Sequence, residues 1–265
     1  MRASLLRNTF FAIAASTLLD QTTAFPSPLP VDGNNNKTSG TIWVTPHAIY
    51  SSSVGVLGCK VDTNRIAYWP APVDCNNICV SLKYGSRSLH LLRIDQSGGA
   101  YDVSYDAWNE LYTGHSAEDK PTAGGAIEMT YESETPEKCR DLIHTTGGKL
   151  PLSAANSMNF LASCLADEDS WVAKHHVLYN VLDPSCTMGR SEECALDWPA
   201  QNQPTCPHTL GVSDELHDMA VYNIEYPTGK KVRAGDSAGS RVIDDSCLGG
   251  IRWAMLVFFG MLWVL

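Results

Sequence analysis

The sequence has little positive charge and few of the short signatures of known catalytic machinery. Lys and Arg number 19 against 29 Asp and Glu, a formal net charge of −10 at pH 7. A surface of that sign repels phosphate backbones, so nucleic acid is not an expected partner. No phosphate-binding P-loop occurs, and His175-His176 lacks the HExxH spacing of a zinc hydrolase. No CxxC is present: Cys75 and Cys79 are spaced too widely for that redox motif. No internal repeat is visible, and no apolar run reaches the roughly 20 residues of a spanning helix. Neither a metal nor a cofactor is expected from these patterns.

The two ends of the chain are apolar but short. Arg2 and Arg7 precede the run TFFAIAASTLL at residues 9–19, and Thr22-Thr23-Ala24 places small residues at a cleavage site. That order predicts a signal peptide over 1–24. Residues 251–265 are apolar apart from Arg252, behind a polar spacer over 240–250 and the small triplet Ser237-Ala238-Gly239. Small triplet, spacer and hydrophobic end predict a GPI signal, with attachment at Ser237 (Gly235, Ala238, Gly239 and Ser240 being the near alternatives), removal of 238–265, and a lipid bilayer reached only through the anchor. Between the two predicted cuts the chain keeps 15 Lys/Arg against 26 Asp/Glu, a net charge of −11.

Cysteine usage points the same way. Of nine cysteines, Cys247 falls in the predicted discarded segment, leaving Cys59, Cys75, Cys79, Cys139, Cys164, Cys186, Cys194 and Cys206. An even set in a secreted chain predicts a disulfide framework whose pairing the sequence does not choose.

Residues 25–40 are rich in Pro, Gly, Asn and Ser and predict a flexible linker. It carries the single N-glycosylation sequon, at Asn36. Residues 41–135 predict β structure, with strands at 41–44, 48–50, 79–84, 88–94 and 126–132. Gly85-Ser86 joins the third and fourth as a hairpin. Ser104 is the expected cap of a short helix over 105–112 that Gly114 ends. Residues 136–210 predict a cysteine-rich extension with helices at 153–165 and 170–182, the latter stopped by Asp183-Pro184, and loops beyond Cys186. Residues 211–237 are expected to be a tail to the anchor site.

Three stretches, in order, resemble the double-psi β-barrels of expansins, barwin-like proteins, RlpA-like domains and small endoglucanases. They are TPHAIYSSSVGVLGC ending at Cys59, YDVSYDAW over 101–108, and GGAIEMTY over 124–131. The whole is most similar to fungal secreted barrel proteins of GPI-anchored type. The fold class implied is mainly β with added helices: a six-stranded double-psi β-barrel followed by a disulfide-rich helical and loop extension.

In the catalytic members of that group, the residue matching Asp102 is a general acid that works with a second carboxylate. In the endoglucanases that second Asp follows a Tyr-Trp pair, whereas here Tyr68-Trp69 is followed by Pro70. Asp62 and Asp74 are near in sequence but off the motif. Asp102 is therefore a catalytic candidate on the resemblance and a turn-holding residue on its own chemistry. Tyr68, Trp69 and Tyr101 are candidates for stacking on sugar rings, while one of Trp108 and Tyr112, four apart on the predicted helix, is expected to pack inward. Non-hydrolytic binding or loosening of cell-wall polysaccharide at the cell surface is the expected function. A glycoside-cleaving enzyme using Asp102 and a protein-interaction effector or inhibitor module are the alternatives.

Overall fold

The structure, a computed structural model, describes residues 38–217 and 219–235. The predicted signal peptide, Asn36, Ser237 and the hydrophobic end lie outside the described residues. Six strands form a closed barrel: β1 (Ser39–His47), β2 (Ile66–Trp69), β3 (Cys79–Tyr84), β4 (Arg87–Gln96), β5 (Tyr101–Ser104) and β6 (Ile127–Glu134), in the order β1-β5-β2-β4-β3-β6. β1 runs parallel to β5 and β2 parallel to β4, while the other four pairings are antiparallel. The ring therefore has an approximate twofold that carries β1, β2 and β3 onto β4, β5 and β6. This repeat of topology leaves no repeat of sequence. The fold is the mainly β, double-psi barrel expected.

Local chemistry explains each piece. β1 alternates, with Ile42 and Val44 buried and Thr41 and Trp43 exposed, because only its inner face is covered. The β3–β4 hairpin turns at Gly85, whose φ of +59° suits a residue without a Cβ. β2 is buried at all four positions: Ala67 and Trp69 belong to the barrel core, Ile66 and Tyr68 to a second core outside it. A strand covered on both faces shows no period of two, and β2 is accordingly missing from the strands expected. The strand expected at 48–50 does not form. There the chain leaves the barrel, with the Tyr50 amide donating to Asn223 Oδ1 and the Tyr50 hydroxyl to the Val56 carbonyl.

The barrel is closed at its β3–β4 hairpin end by α1 (Tyr105–Thr113). Trp108 is fully buried there, and its indole N–H donates to the Val44 carbonyl at 3.2 Å. Tyr112 stays 39% exposed. Gly114 ends the helix in the left-handed region, as expected, at φ +85°. Gly124 lies against the Trp108 ring so closely that a Cβ would sit 2.4 Å from it. The glycine-led approach to β6 is thus a packing requirement.

The extension differs from expectation. Among the described residues of the extension α-helix forms only at α2 (Met158–Leu165) and at α3 (Trp171–Lys174), where the Ser170 hydroxyl accepts from the Ala173 amide as a cap, with 3-10 turns at Pro136–Leu142 and Thr146–Gly148. The rest of the expected second helix is β8 (His176–Val181), central in a sheet between β7 (Leu150–Ser153) and β9 (Gly189–Cys194). Val177, Tyr179 and Val181 favour a strand, and a short apolar run does not separate the two periods. Beyond Cys206, β10 (Tyr222–Ile224) and β11 (Lys231–Arg233) make a two-stranded ribbon. The described part of the expected tail is therefore folded: the Tyr226 hydroxyl donates to the Gly124 carbonyl and the Tyr105 hydroxyl to the Pro227 carbonyl.

All eight framework cysteines pair, as Cys59–Cys186, Cys75–Cys164, Cys79–Cys139 and Cys194–Cys206. The first three tie barrel residues to residues beyond β6, across separations of 127, 89 and 60. Chain-entropy reasoning assigns about 5 kcal/mol to the longest loop and about 3 kcal/mol to the 12-residue separation of Cys194 and Cys206. Such bonds persist in oxidising compartments, which agrees with an extracellular location.

The short Cys194–Cys206 loop is also held by charge. Glu192 accepts from the Asn180 side-chain amide and from the amide and ring of His208. These donors, Asn180 first, pull its carboxyl down to about 2. The folded pKa lies below the ordinary value of about 4.3, so the stabilisation is fully present above that pH and is lost as pH falls toward 2. The stability gap between wild type and Glu192→Gln, measured by urea unfolding, is expected to close between about pH 4.5 and 2. A gap that does not change over that window would contradict the assignment.

Candidate functional site

Four side chains stand in one transverse row across four neighbouring strands. Thr45 on β1 pairs with Asp102 on β5, Asp102 with Tyr68 on β2, and Tyr68 with Asp95 on β4. The twofold of the barrel passes between Asp102 and Tyr68. Asp102 is half-buried and accepts a short hydrogen bond from the Thr45 hydroxyl on Oδ1. Among the described residues its Oδ2 has no partner. Among the described residues Asp102 is thus held at one oxygen only.

Asp95 is the other carboxylate in the row. Two strand spacings of about 4.8 Å put its backbone roughly 10 Å from that of Asp102. An inverting hydrolase needs carboxyls roughly 6.5–9.5 Å apart, with one of them free to activate water. Asp95 is 8% exposed and accepts from the Ser51 hydroxyl and the Ser53 and Gln96 amides. Its work is to pin the 51–53 loop over Tyr68. Asp62 and Asp74 are equally occupied, each accepting backbone amides two or three residues on, in Asx turns.

The aromatic candidates need correcting. Tyr68 is 3% and Trp69 5% exposed, so neither offers a ring face to a sugar. Tyr68 packs against His47 with centroids 4.4 Å apart. Burial pushes its phenol well above the usual tyrosine value, with Asp95 and Asp102 adding to the shift, so the group stays neutral at physiological pH. Trp69 meets Tyr101 and Tyr131 edge-on at 5.4 and 5.1 Å inside the barrel. Tyr101 is half-buried in that cluster.

The exposed ring on this side of the barrel is Trp43, at 63%. It shares the outer face of β1 with Thr41, Thr45 and His47, because side chains two apart lie on one face. Two residues along the strand and one strand across, Trp43 stands about 8 Å from Asp102. Glu128 and Thr130 on β6 pair with Trp43 and Thr41. The alternation of 41–44 was the sequence signal for Trp43: it opposes Ile42 and Val44 in a strand with one buried face.

Ser104 sits where a helix cap belongs, yet its hydroxyl does not cap α1. It donates to the Thr63 carbonyl at 2.7 Å and accepts from the Ile66 amide at 3.0 Å, tying the end of β5 to the entry of β2. Nearby, Arg65 bridges Asp106 and Glu110 on α1 at 2.9 and 2.5 Å. A cleft of about 230 Å³ lies between this corner and the β10–β11 ribbon, lined in part by Asn64, His144, Tyr222 and Lys231. His175 stacks on Trp171 and the His176 ring hydrogen-bonds the Val172 carbonyl. Among the described residues no His, Cys, Asp and Glu cluster has metal-ligand geometry. The letters Gly235-Asp236-Ser237-Ala238-Gly239 spell GxSxG, but the strand before them, β11, belongs to a two-stranded ribbon rather than the core of an α/β sheet.

No protein-family model matches the sequence, and no curated protein matches it. Among solved structures the chain is similar to cerato-platanin 3 from M. perniciosa, at 13% identity and a TM-score of 0.29, over 38% of this chain and 99% of that one. Cerato-platanin 2 from M. perniciosa gives 18% and 0.29 over 38% and 98%, and the Streptomyces papain inhibitor 16% and 0.24 over 37% and 96%. Likenesses this slight leave function to the chain's own residues.

Removing the Ser104 hydroxyl strands two backbone groups at the foot of the site. Ser104→Ala is expected to cost about 1–3 kcal/mol in denaturant unfolding, whereas loss of a solvent-exposed cap would cost nearer 0.5–1 kcal/mol. A cost below about 0.5 kcal/mol would show that the hydroxyl does not tie the strands.

Proposed function

We propose that this is a secreted, surface-anchored barrel that binds neutral cell-wall polysaccharide on the open β1–β5 face without cleaving it. The observation that carries the reading is the pairing of an exposed indole, Trp43, with a half-buried carboxylate, Asp102, whose companion in the row, Asp95, is hydrogen-bonded by the 51–53 loop. The indole face supplies apolar and CH–π area for a pyranose ring. The free Asp102 oxygen accepts from sugar hydroxyls, and Thr45 fixes its direction. Hydrolysis is disfavoured because the other carboxylate of the row is consumed by the 51–53 loop.

The signal peptide, the glycan at Asn36 and the anchor at Ser237 belong to the same proposal. They would place the barrel on the outer surface, where an acidic exterior limits adhesion to anionic lipid and leaves the wall as the partner.

The test is retention of the ectodomain on insoluble cellulose, β-glucan and chitin, with assay of released reducing sugar. Trp43→Ala is expected to weaken retention at least tenfold, about 1.4 kcal/mol. Asp102→Asn, which keeps an acceptor oxygen, should reduce it less, with no sugar released by either form. Sugar release abolished by Asp102→Asn would replace binding with catalysis. Retention on no glycan would point to a protein partner.

A further inference from the structure

The end of the barrel opposite α1 holds a buried cation that no carboxylate contacts directly among the described residues, Asp74 acting on it only at longer range. Arg93 on β4 is 8% exposed and makes no ion pair among the described residues. Its guanidinium lies over the Trp69 ring, 5.5 Å from the centroid, and Nη2 donates to the Ala71 and Pro72 carbonyls at 3.4 and 2.6 Å. Among the described residues its Nε–H has no acceptor, and neither has the indole N–H of Trp69, itself 95% buried. Two adjacent residues thus each bury an unused donor, a costly arrangement and more so for the charged one. Tyr101 and Tyr131, both half-buried, flank Trp69 with edge-on ring contacts. Burial lowers the Arg93 pKa, against the opposing pull of Asp74, and raises that of Tyr131.

A carboxylate answers these needs. It carries one negative charge, accepts up to four hydrogen bonds, and suits the planar fork of an arginine. The acidic exterior opposes a densely charged polyanion, so the fitting carrier is an isolated acid on a neutral chain. We propose that this barrel end, through Arg93 and Trp69 behind Tyr101 and Tyr131, is a receptor for the carboxylate of single uronate units borne on an otherwise neutral polysaccharide. The inference rests on the glycan-binding reading for its choice of carrier. It is separate from that reading in place, since Trp43 and Asp102 face outward while Arg93 and Trp69 face the barrel interior.

Titration of the ¹⁵N-labelled ectodomain with galacturonic acid, and with glucose at equal concentration, tests it. Galacturonate should shift the Trp69 indole N–H resonance, identified by its loss in Trp69→Phe, and bind saturably. Glucose should leave that resonance in place. Trp69→Phe keeps an aromatic ring and removes the donor, and should weaken galacturonate about tenfold. Arg93→Gln should abolish binding. Trp43→Ala should leave galacturonate affinity unchanged while losing retention on cellulose, so failure of either site is visible without the other. An indole resonance that galacturonate does not move, or that glucose moves equally, would overturn the receptor. Unchanged affinity in a folded Trp69→Phe would do the same.

Discussion

The architecture depends on strands β2 and β4 being apolar on both faces. Ala67, Trp69 and Leu91 fill the barrel, while Ile66, Tyr68, Leu92 and Ile94 point away from it. An outer face of that kind, left in water, would forfeit about 1.5–3 kcal/mol for each large side chain. The chain beyond β6 covers it with Ile143, Leu150, Leu152, Leu161 and Val172, and three disulfides fasten the cover. Covering one side of the barrel leaves the outer side of β1 uncovered, with Trp43 and Thr41 in solvent. Where the site lies thus follows from where the extension has to be.

The same constraint separates the two carboxylates that the twofold axis brings into one row. Asp95 falls under the cover and is consumed in holding the 51–53 loop against Tyr68. Asp102 falls at the edge of the cover and, among the described residues, keeps one oxygen without a partner. A single fixed acceptor beside an exposed indole suits recognition of a ring with hydroxyls.

Much of the barrel was legible because its signals are local. The Gly85 hairpin, the Gly114 helix stop, β1 and β6, and the even cysteine set each depend on a few neighbouring residues. Where tertiary cover decides, the sequence was silent or misleading. β2 is uniformly buried and has no alternation to read. β8 has apolar residues that fit a helix as well as a strand, and its sheet partners lie far off in the chain. At the site, Asp102 was visible through its motif, but Tyr68 and Trp69 were not recognisable as core, because nothing in a Tyr-Trp pair reports the layer that will cover it. Trp43 was readable from the alternation of β1. Ser104 looked like a cap and instead ties two strands, since its partners, Thr63 and Ile66, are distant in sequence.

The central claim is that the open β1–β5 face is where glycan binds, without turnover. Hydrogen exchange of the ectodomain with and without a saturating soluble β-glucan oligomer tests it most directly. The account predicts added protection at 41–47 and 101–103, with the oligomer recovered at its original length. Protection confined to the ribbon cleft around Tyr222, or shortening of the oligomer, would contradict it.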